Sequence, residues 1–371
     1  MKTPLSVTVL TGSPGTDGAR TFERIVNKSG DLRIAAIVPR GEQQSQSSSQ
    51  YVSMLPTTEK LARLGEGCSC CTVRSDLMSK IERIAAEQSA DHIVIQASLS
   101  CDLVTLAKTF TVANASGAVL SEVARIEGLV AVVDAPDFLA TLKTEAARAI
   151  IERIALANII VLERESGLEP AVAARVRTAL EALNSRARIM RGDEESFGLS
   201  SLRVERPFDL DTAQRHAARL DEVSASSDSI VRFSFRDRRP FHPTRLHALL
   251  EESWAGVLRA QGVFWVASRP AFAGILDIAG GSSKTSSGGV WWAAVPPARR
   301  PSSPAFQEYV DSIWHSAFGD RHQQLNIVGI DVDEVTLRGR LDQCLLTDEE
   351  LTHSERWSAL PHPFPWPKES A

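Results

Sequence analysis

Short runs of Val, Ile, Ala and Leu recur along the first half of this chain, and they constrain its fold more than any other feature. They are Ser6-Val7-Thr8-Val9-Leu10, Ile34-Ala35-Ala36-Ile37-Val38, His92-Ile93-Val94-Ile95-Gln96, Leu129-Val130-Ala131-Val132-Val133-Asp134 and Asn158-Ile159-Ile160-Val161-Leu162. A strand with one wet face alternates apolar and polar residues, whereas a nearly unbroken apolar run suits a strand buried on both faces of a parallel sheet. Between the runs the period becomes helical, with Leu77, Ile81 and Ile84 on one face, and Val176 and Leu180 on one face of a helix over 172–183. Parallel strands need crossover helices, so the alternation predicts a doubly wound, mainly parallel α/β domain. The segment 41–50, rich in Gln and Ser, interrupts it and reads as a mobile loop.

From Glu194 to Asp228 the sequence turns polar and irregular, and a second unit begins at Ser229. Runs 230–235, 262–266 and 325–330 are strand-like, stretches 242–254 and 306–315 are helical, and 280–289 reads as a Gly/Ser-rich turn. Six of the seven tryptophans lie between Trp254 and Trp357, and Trp366 follows in a Pro-rich tail, so this unit has its own aromatic core. The expected organisation is an α/β domain over 1–195, a linker over 196–228 and a smaller α+β domain over 229–371. No internal repeat is evident.

A net charge of -5 with 23% charged residues gives no polybasic footprint for nucleic acid or a membrane surface. No apolar stretch is long enough to span a bilayer, and Met1-Lys2-Thr3-Pro4-Leu5 carries no signal-like core. The five cysteines are odd in number and mostly clustered, which argues against a disulfide framework and for a reducing, cytoplasmic setting.

Three of those cysteines, Cys68, Cys70 and Cys71, fall within Gly67-Cys68-Ser69-Cys70-Cys71-Thr72. Thiolates this close favour Zn²⁺, Cu⁺ or another thiophilic ion, and three of them leave a tetrahedral ion one open position. An open position suits a site that passes metal on. A redox pair, or inert buried thiols, are the alternatives. Glu66, near the run in sequence, is a weaker candidate for a further ligand. Cys101 and Cys344 read as structural thiols, and His242, His247, His315, His322, His353 and His362 form no metal-spaced pair. Trp291-Trp292 is a candidate docking surface.

Several blocks together resemble the CobW family of P-loop GTPases, metallochaperones and metal insertases, over almost the whole chain. They are Val7-Thr8-Val9-Leu10-Thr11-Gly12, the cysteine block through Leu77, Val132-Val133-Asp134-Ala135-Pro136-Asp137-Phe138, Arg238-Arg239-Pro240-Phe241-His242-Pro243, Gly262 to Pro270, Trp291-Trp292, Phe318-Gly319-Asp320-Arg321 and Leu345 to Glu350. The resemblance implies a P-loop NTPase-like α/β domain, a metal held by Cys68, Cys70 and Cys71, with Glu42 after the second run as a weaker candidate for the acidic ligand the family often adds, and delivery to a client metalloprotein. The C-terminal blocks are similar to the family's zinc-associated branch. The Cys-Ser-Cys-Cys run also resembles activators of nitrile hydratase, for which the cargo would be Fe or Co.

The nucleotide motifs depart from that family. A P-loop needs glycines to cradle phosphates, a Lys on the β/γ-phosphates and a hydroxyl for Mg²⁺. Aligned from Gly12, the chain offers Gly12-Ser13-Pro14-Gly15-Thr16-Asp17-Gly18-Ala19, with Asp17 in place of the last glycine, Gly18 of the Lys and Ala19 of the hydroxyl. Gly12, Gly15, Gly18 and the shifted cation Arg20 remain as a degenerate phosphate loop. The acidic motif after the third run is Gln96-Ala97-Ser98-Leu99, and the guanine-reading Asn-Lys-x-Asp is Glu163-Arg164-Glu165-Ser166. These losses predict a pseudo-GTPase that carries metal. A zinc-responsive scaffold recruiting a ribosome-associated or other partner, and an active GTPase with Mg²⁺, are the competing readings.

Overall fold

The computed structural model describes residues 4–12, 18–39, 61–64, 70–97, 101–113, 117, 119–218 and 230–366, with 39, 61–64, 70–76 and 218 described by backbone alone. The chain divides into two compact units, Met1–Thr141 with Ala149–Ala217, and Leu142–Arg148 with Ala218–Ala371.

The first unit is built on strands β1 (Leu5–Gly12), β2 (Ile34–Pro39), β3 (Leu61–Leu64), β4 (His92–Ala97), β5 (Ala124–Asp134), β6 (Ile159–Glu163) and β7 (Arg188–Arg191). They form a seven-stranded sheet in the order β3-β2-β4-β1-β5-β6-β7. Every pairing in it is parallel. The helices are α1 (Gly18–Asn27), α2 (Cys70–Glu87), α3 (Leu103–Thr111), α4 (Ala135–Thr141), α5 (Ala147–Leu156), α6 (Pro170–Leu183) and α7 (Leu210–Ala218).

The period of two along each strand sorts the apolar runs onto two faces. Val7, Val9, Ala35, Ile37, Ile93, Ile95 and Leu129 pack with Leu77, Met78 and Ile81 of α2 and Leu106 and Phe110 of α3. Their neighbours Leu10, Ala36, Val94, Val130 and Val132 pack instead with Phe22, Ile25 and Val26 of α1. A strand covered on both sides has no polar residue to spare, which is why the runs are unbroken. Part of the expected linker joins these cores: Phe197, Leu199 and Leu202 lie with α1, and Leu210 with α2 and α3.

The second unit holds β8 (Ile230–Asp237), α8 (Pro243–Glu251), β9 (Val257–Phe264), β10 (Phe272–Ala279), β11 (Ser282–Val290), α9 (Pro304–Ile313), β12 (Gln323–Ile330), α10 (Glu334–Cys344) and α11 (Asp348–Thr352). The strands form a five-stranded sheet, β11-β10-β9-β12-β8, antiparallel throughout. Its core joins Phe233, Phe235, Leu276, Ile278, Leu325 and Ile327 to Leu246 and Leu249 of α8 and Leu337 and Leu341 of α10.

Two readings of this unit change. The stretch 280–289 is not a turn: Gly280-Gly281 alone connect β10 to β11, which pairs along its length as an exposed edge strand. An edge strand with both faces wet needs no apolar residues, so its Ser/Gly composition misleads. Nor is Trp291-Trp292 an open docking face. Trp291 is buried and its Nε1 donates to the Phe272 carbonyl at 2.9 Å. The Trp292 and Ala293 amides donate to the buried Asp320 carboxylate at 2.9 and 2.8 Å, so this motif and Phe318-Gly319-Asp320-Arg321 brace each other.

Candidate metal and nucleotide site

In an all-parallel sheet every strand ends on the same edge, and ligands of such folds bind outside those carboxyl ends. Gly12 ends β1, Ala97 ends β4, Asp134 ends β5 and Glu163 ends β6. Helix α2 carries the chain from the carboxyl end of β3 back to the start of β4, so its first turn lies at this edge too. That first turn begins with Cys70 and Cys71. Cys68, Glu42, Glu66, Gly15 and the 41–50 segment lie outside the described residues, and the Cys70 and Cys71 side chains are not described. Among the described residues no group of three or more His, Cys, Asp and Glu side chains is placed to hold a metal ion.

The phosphate-loop residues fall where β1 gives way to α1. Among the described residues, a Cβ on Gly18 would meet only Gly12 Cα, at 3.8 Å, an ordinary contact. Arg20 is exposed on the first turn of α1. The buried Thr11, one residue before Gly12, receives a hydrogen bond of 2.9 Å from Arg153 Nε of α5.

The residues from Glu163 to Ser166, at and just after the end of β6, are held by the chain's own bonds. Glu163 is buried and accepts from Thr21 Oγ1 of α1 at 2.5 Å. Arg164, in the left-handed region at φ 59°, donates through Nε to Asp134 Oδ1 at 2.8 Å and through Nη2 to the other oxygen of that carboxylate. Glu165, also buried, takes a bidentate pair from Arg177 at 2.5 and 2.6 Å. Ser166 donates through its amide and its hydroxyl to Asp193 Oδ2 at 2.8 and 2.5 Å. Burial opposes the charge on Asp193, but the Ser166 bonds outweigh it and hold that carboxyl below its usual range. Sequence reading identified Glu163 to Ser166 as a lost motif. It missed Thr21, Arg177 and Asp193 as partners, because nothing in a linear pattern joins residues so far apart.

Cys101 follows β4 at the same edge. It packs half-buried against the core shared by α2 and α3. Burial, seconded by Asp102 and opposed by Arg153, pushes its thiol up to about 11, so it is a poor nucleophile. Cys344 is buried and likewise pushed up to about 11 by burial, opposed by Arg245 and Arg340. His242 caps α8, its Nδ1 accepting from the Arg245 amide at 3.4 Å. His362 Nδ1 lies 2.9 Å from Ser268 Oγ.

A seven-stranded parallel sheet whose first strand ends in glycine and leads into a helix defines a P-loop NTPase-like protein. Residues 6–191 match the CobW/HypB/UreG nucleotide-binding domain, and residues 230–345 match the cobalamin synthesis protein cobW C-terminal domain. The chain therefore belongs to the CobW family. It is 26% identical to the zinc-regulated GTPase metalloprotein activator 1 of Dictyostelium discoideum, over 94% of this chain and 81% of that one. It is 28% identical to a zinc chaperone of Mycobacterium tuberculosis, over 90% of this chain and 83% of that one. A solved structure of the Zn(II)-bound YjiA GTPase from E. coli aligns with 93% of this chain and 100% of its own, at 15% identity and a TM-score of 0.41. No helix among the described residues is long and apolar enough to cross a membrane.

Proposed function

We propose that this chain carries one thiophilic ion, Zn²⁺ before Fe or Co, on Cys68, Cys70 and Cys71, and hands it to a client metalloprotein without efficient GTP hydrolysis. The observation that carries the reading is a contrast along one sheet edge. The thiol run leads into the N-terminus of α2, while each side chain from Glu163 to Ser166 is engaged by another residue of the chain. The amides and positive dipole end of a helix favour thiolate over thiol, which is the form that binds metal. Three thiolates leave a fourth position through which a client's thiol or imidazole can enter as these ligands leave. Zinc is preferred because both named relatives above carry it in their names.

The nucleotide half of the proposal follows from what is missing. Without Lys or hydroxyl in the phosphate loop, and with Asp17 added, the developing charge on a γ-phosphate meets repulsion where it needs a cation. Chelator competition with Zn²⁺ on the purified protein, with steady-state GTP turnover alongside, tests both halves. We expect one ion per chain, lost in the Cys70→Ser/Cys71→Ser variant, and turnover at background. Unchanged zinc affinity in that variant would remove the site, and turnover abolished by a Gly12 or Arg20 substitution would restore the GTPase.

A further inference from the structure

Three arginines of the second unit meet at one end of its sheet, each from a sequence block that the metal site does not use. Arg238 follows β8, Arg269 follows β9 and Arg321 precedes β12, and the register of these strands brings those ends together. Arg238 Nη1 donates to the Arg321 carbonyl at 3.3 Å and lies 3.5 Å from that of Gly319. Arg321 Nε donates to the Pro270 carbonyl at 2.6 Å, and its Nη1 to that of Phe318 at 3.2 Å. Arg269, next to Pro270, donates through Nη1 to the Ser268 carbonyl at 2.7 Å. One run of bonds thus gathers three guanidiniums around the turns at 266–270 and 315–321.

Every acceptor in that run is a backbone carbonyl. Among the described residues none of the three arginines has a carboxylate partner, and Nη2 of each has no partner at all. The nearby acids are engaged elsewhere. Asp237 accepts from the Arg239 amide at 2.6 Å and pairs with its guanidinium, and Asp320 takes the Trp292 and Ala293 amides. All three arginines are half-buried, and burial pushes the Arg321 guanidinium below its ordinary value, opposed by Asp320. A cation drawn out of water without a counter-charge costs free energy. Two buried donors, Arg269 Nε and Trp265 Nε1, also lack an acceptor among the described residues. Trp265 is 1% exposed, and the Arg321 guanidinium lies 5.6 Å from the centroid of its ring. Uncompensated positive charge and spare donors have the same complement, an oxyanion.

We infer that Arg238, Arg269 and Arg321 form a docking site for the carboxylates of an acidic segment on a partner protein. Each guanidinium is already fixed by its carbonyl bonds, so little ordering remains when a carboxylate arrives. Asp and Glu side chains can reach half-buried donors one at a time. A nucleic-acid backbone is instead met by a broad basic surface, which a chain of net charge -5 with three half-buried guanidiniums does not offer. The site goes beyond the proposed metal handling and uses none of its residues.

Calorimetric titration of the full-length protein with hexaglutamate at low salt tests it, with hexaglutamine as the neutral control. We expect hexaglutamate alone to bind, and to bind about tenfold more weakly as salt rises from about 0.05 to about 0.5 M. Arg238→Gln with Arg269→Gln should weaken that binding by about tenfold more, while zinc affinity by chelator competition stays native. Should the double variant lose its thermal transition, Arg238→Gln alone, whose bonds are the longest of the three, should weaken it about threefold. No binding at millimolar hexaglutamate, equal binding of hexaglutamine, or native affinity in the folded variant would overturn the site. Tighter binding of inorganic phosphate or of duplex DNA than of hexaglutamate would overturn the acidic segment as its occupant.

Discussion

The two ends of the carboxyl edge in the parallel sheet differ in how their polar residues are engaged. At the β5–β7 end the side chains from Glu163 to Ser166 are bonded within the chain: Glu163 to Thr21, Arg164 to Asp134, Glu165 to Arg177 and Ser166 to Asp193. At the β3–α2 end the thiol run is retained whole in the sequence. A buried carboxylate already satisfied by a donor must lose that bond before it can serve a ligand, and the desolvation cost opposes the exchange. The lesson is that polar side chains at a ligand-binding edge can be held by the chain's own groups while the edge keeps its place in the fold.

Four measurements break or sharpen this contrast. The largest effect belongs to the thiol end: Cys70→Ser with Cys71→Ser should weaken Zn²⁺ binding on the order of a thousandfold. In the native protein that affinity should rise with pH, since each thiol releases a proton on binding. A flat pH profile by chelator competition would mean the ligands are not thiols. At the other end, Gly192→Ala drives a methyl to within 2.5 Å of the Glu163 carboxylate and should destabilise the fold by about 3 kcal/mol in urea denaturation. A cost near zero would mean that corner is not packed as described.

A third measurement separates acid effects on the fold from those on the metal. His92, at the opposite edge, is buried with Nε2 2.9 Å from Thr8 Oγ1, and burial, against the pull of Glu127, pushes it down to about 4. Its folded value lies below the ordinary 6.5, so the unfolded chain takes up the proton first and stability falls as the pH drops from 6.5 towards 4. The loss is about 2–3 kcal/mol, measured without metal, and His92→Gln should abolish that slope. The smallest effect is expected for Arg164→Ala. Its side chain is more than half exposed, so removing the Asp134 pair should cost about 1 kcal/mol after solvent screening.

Legibility in the sequence followed burial. The runs at Val7, Ile37, Ile95, Val132 and Ile160 announced β1, β2, β4, β5 and β6 because burial on both faces removes every polar interruption. The edge strands β3 and β7 were silent, being four residues each and lacking a continuous apolar run. In the antiparallel sheet β10 was missed although it is apolar except at Gly274 and Asp277, and β11 was hidden by its Ser and Gly residues. The departure of Glu163 to Ser166 from an Asn-Lys-x-Asp pattern is a matter of sequence. The bonds these residues make were not legible, since Thr21 and Glu163 lie 142 positions apart and meet only because β1 and β6 flank β5.

The most direct test of the account is the zinc affinity of the full-length protein by chelator competition, measured with and without saturating GTP and Mg²⁺. A metal carrier with a redirected nucleotide corner should bind one Zn²⁺ per chain with the same affinity in both conditions. No bound zinc, or an affinity that GTP shifts tenfold or more, would contradict it.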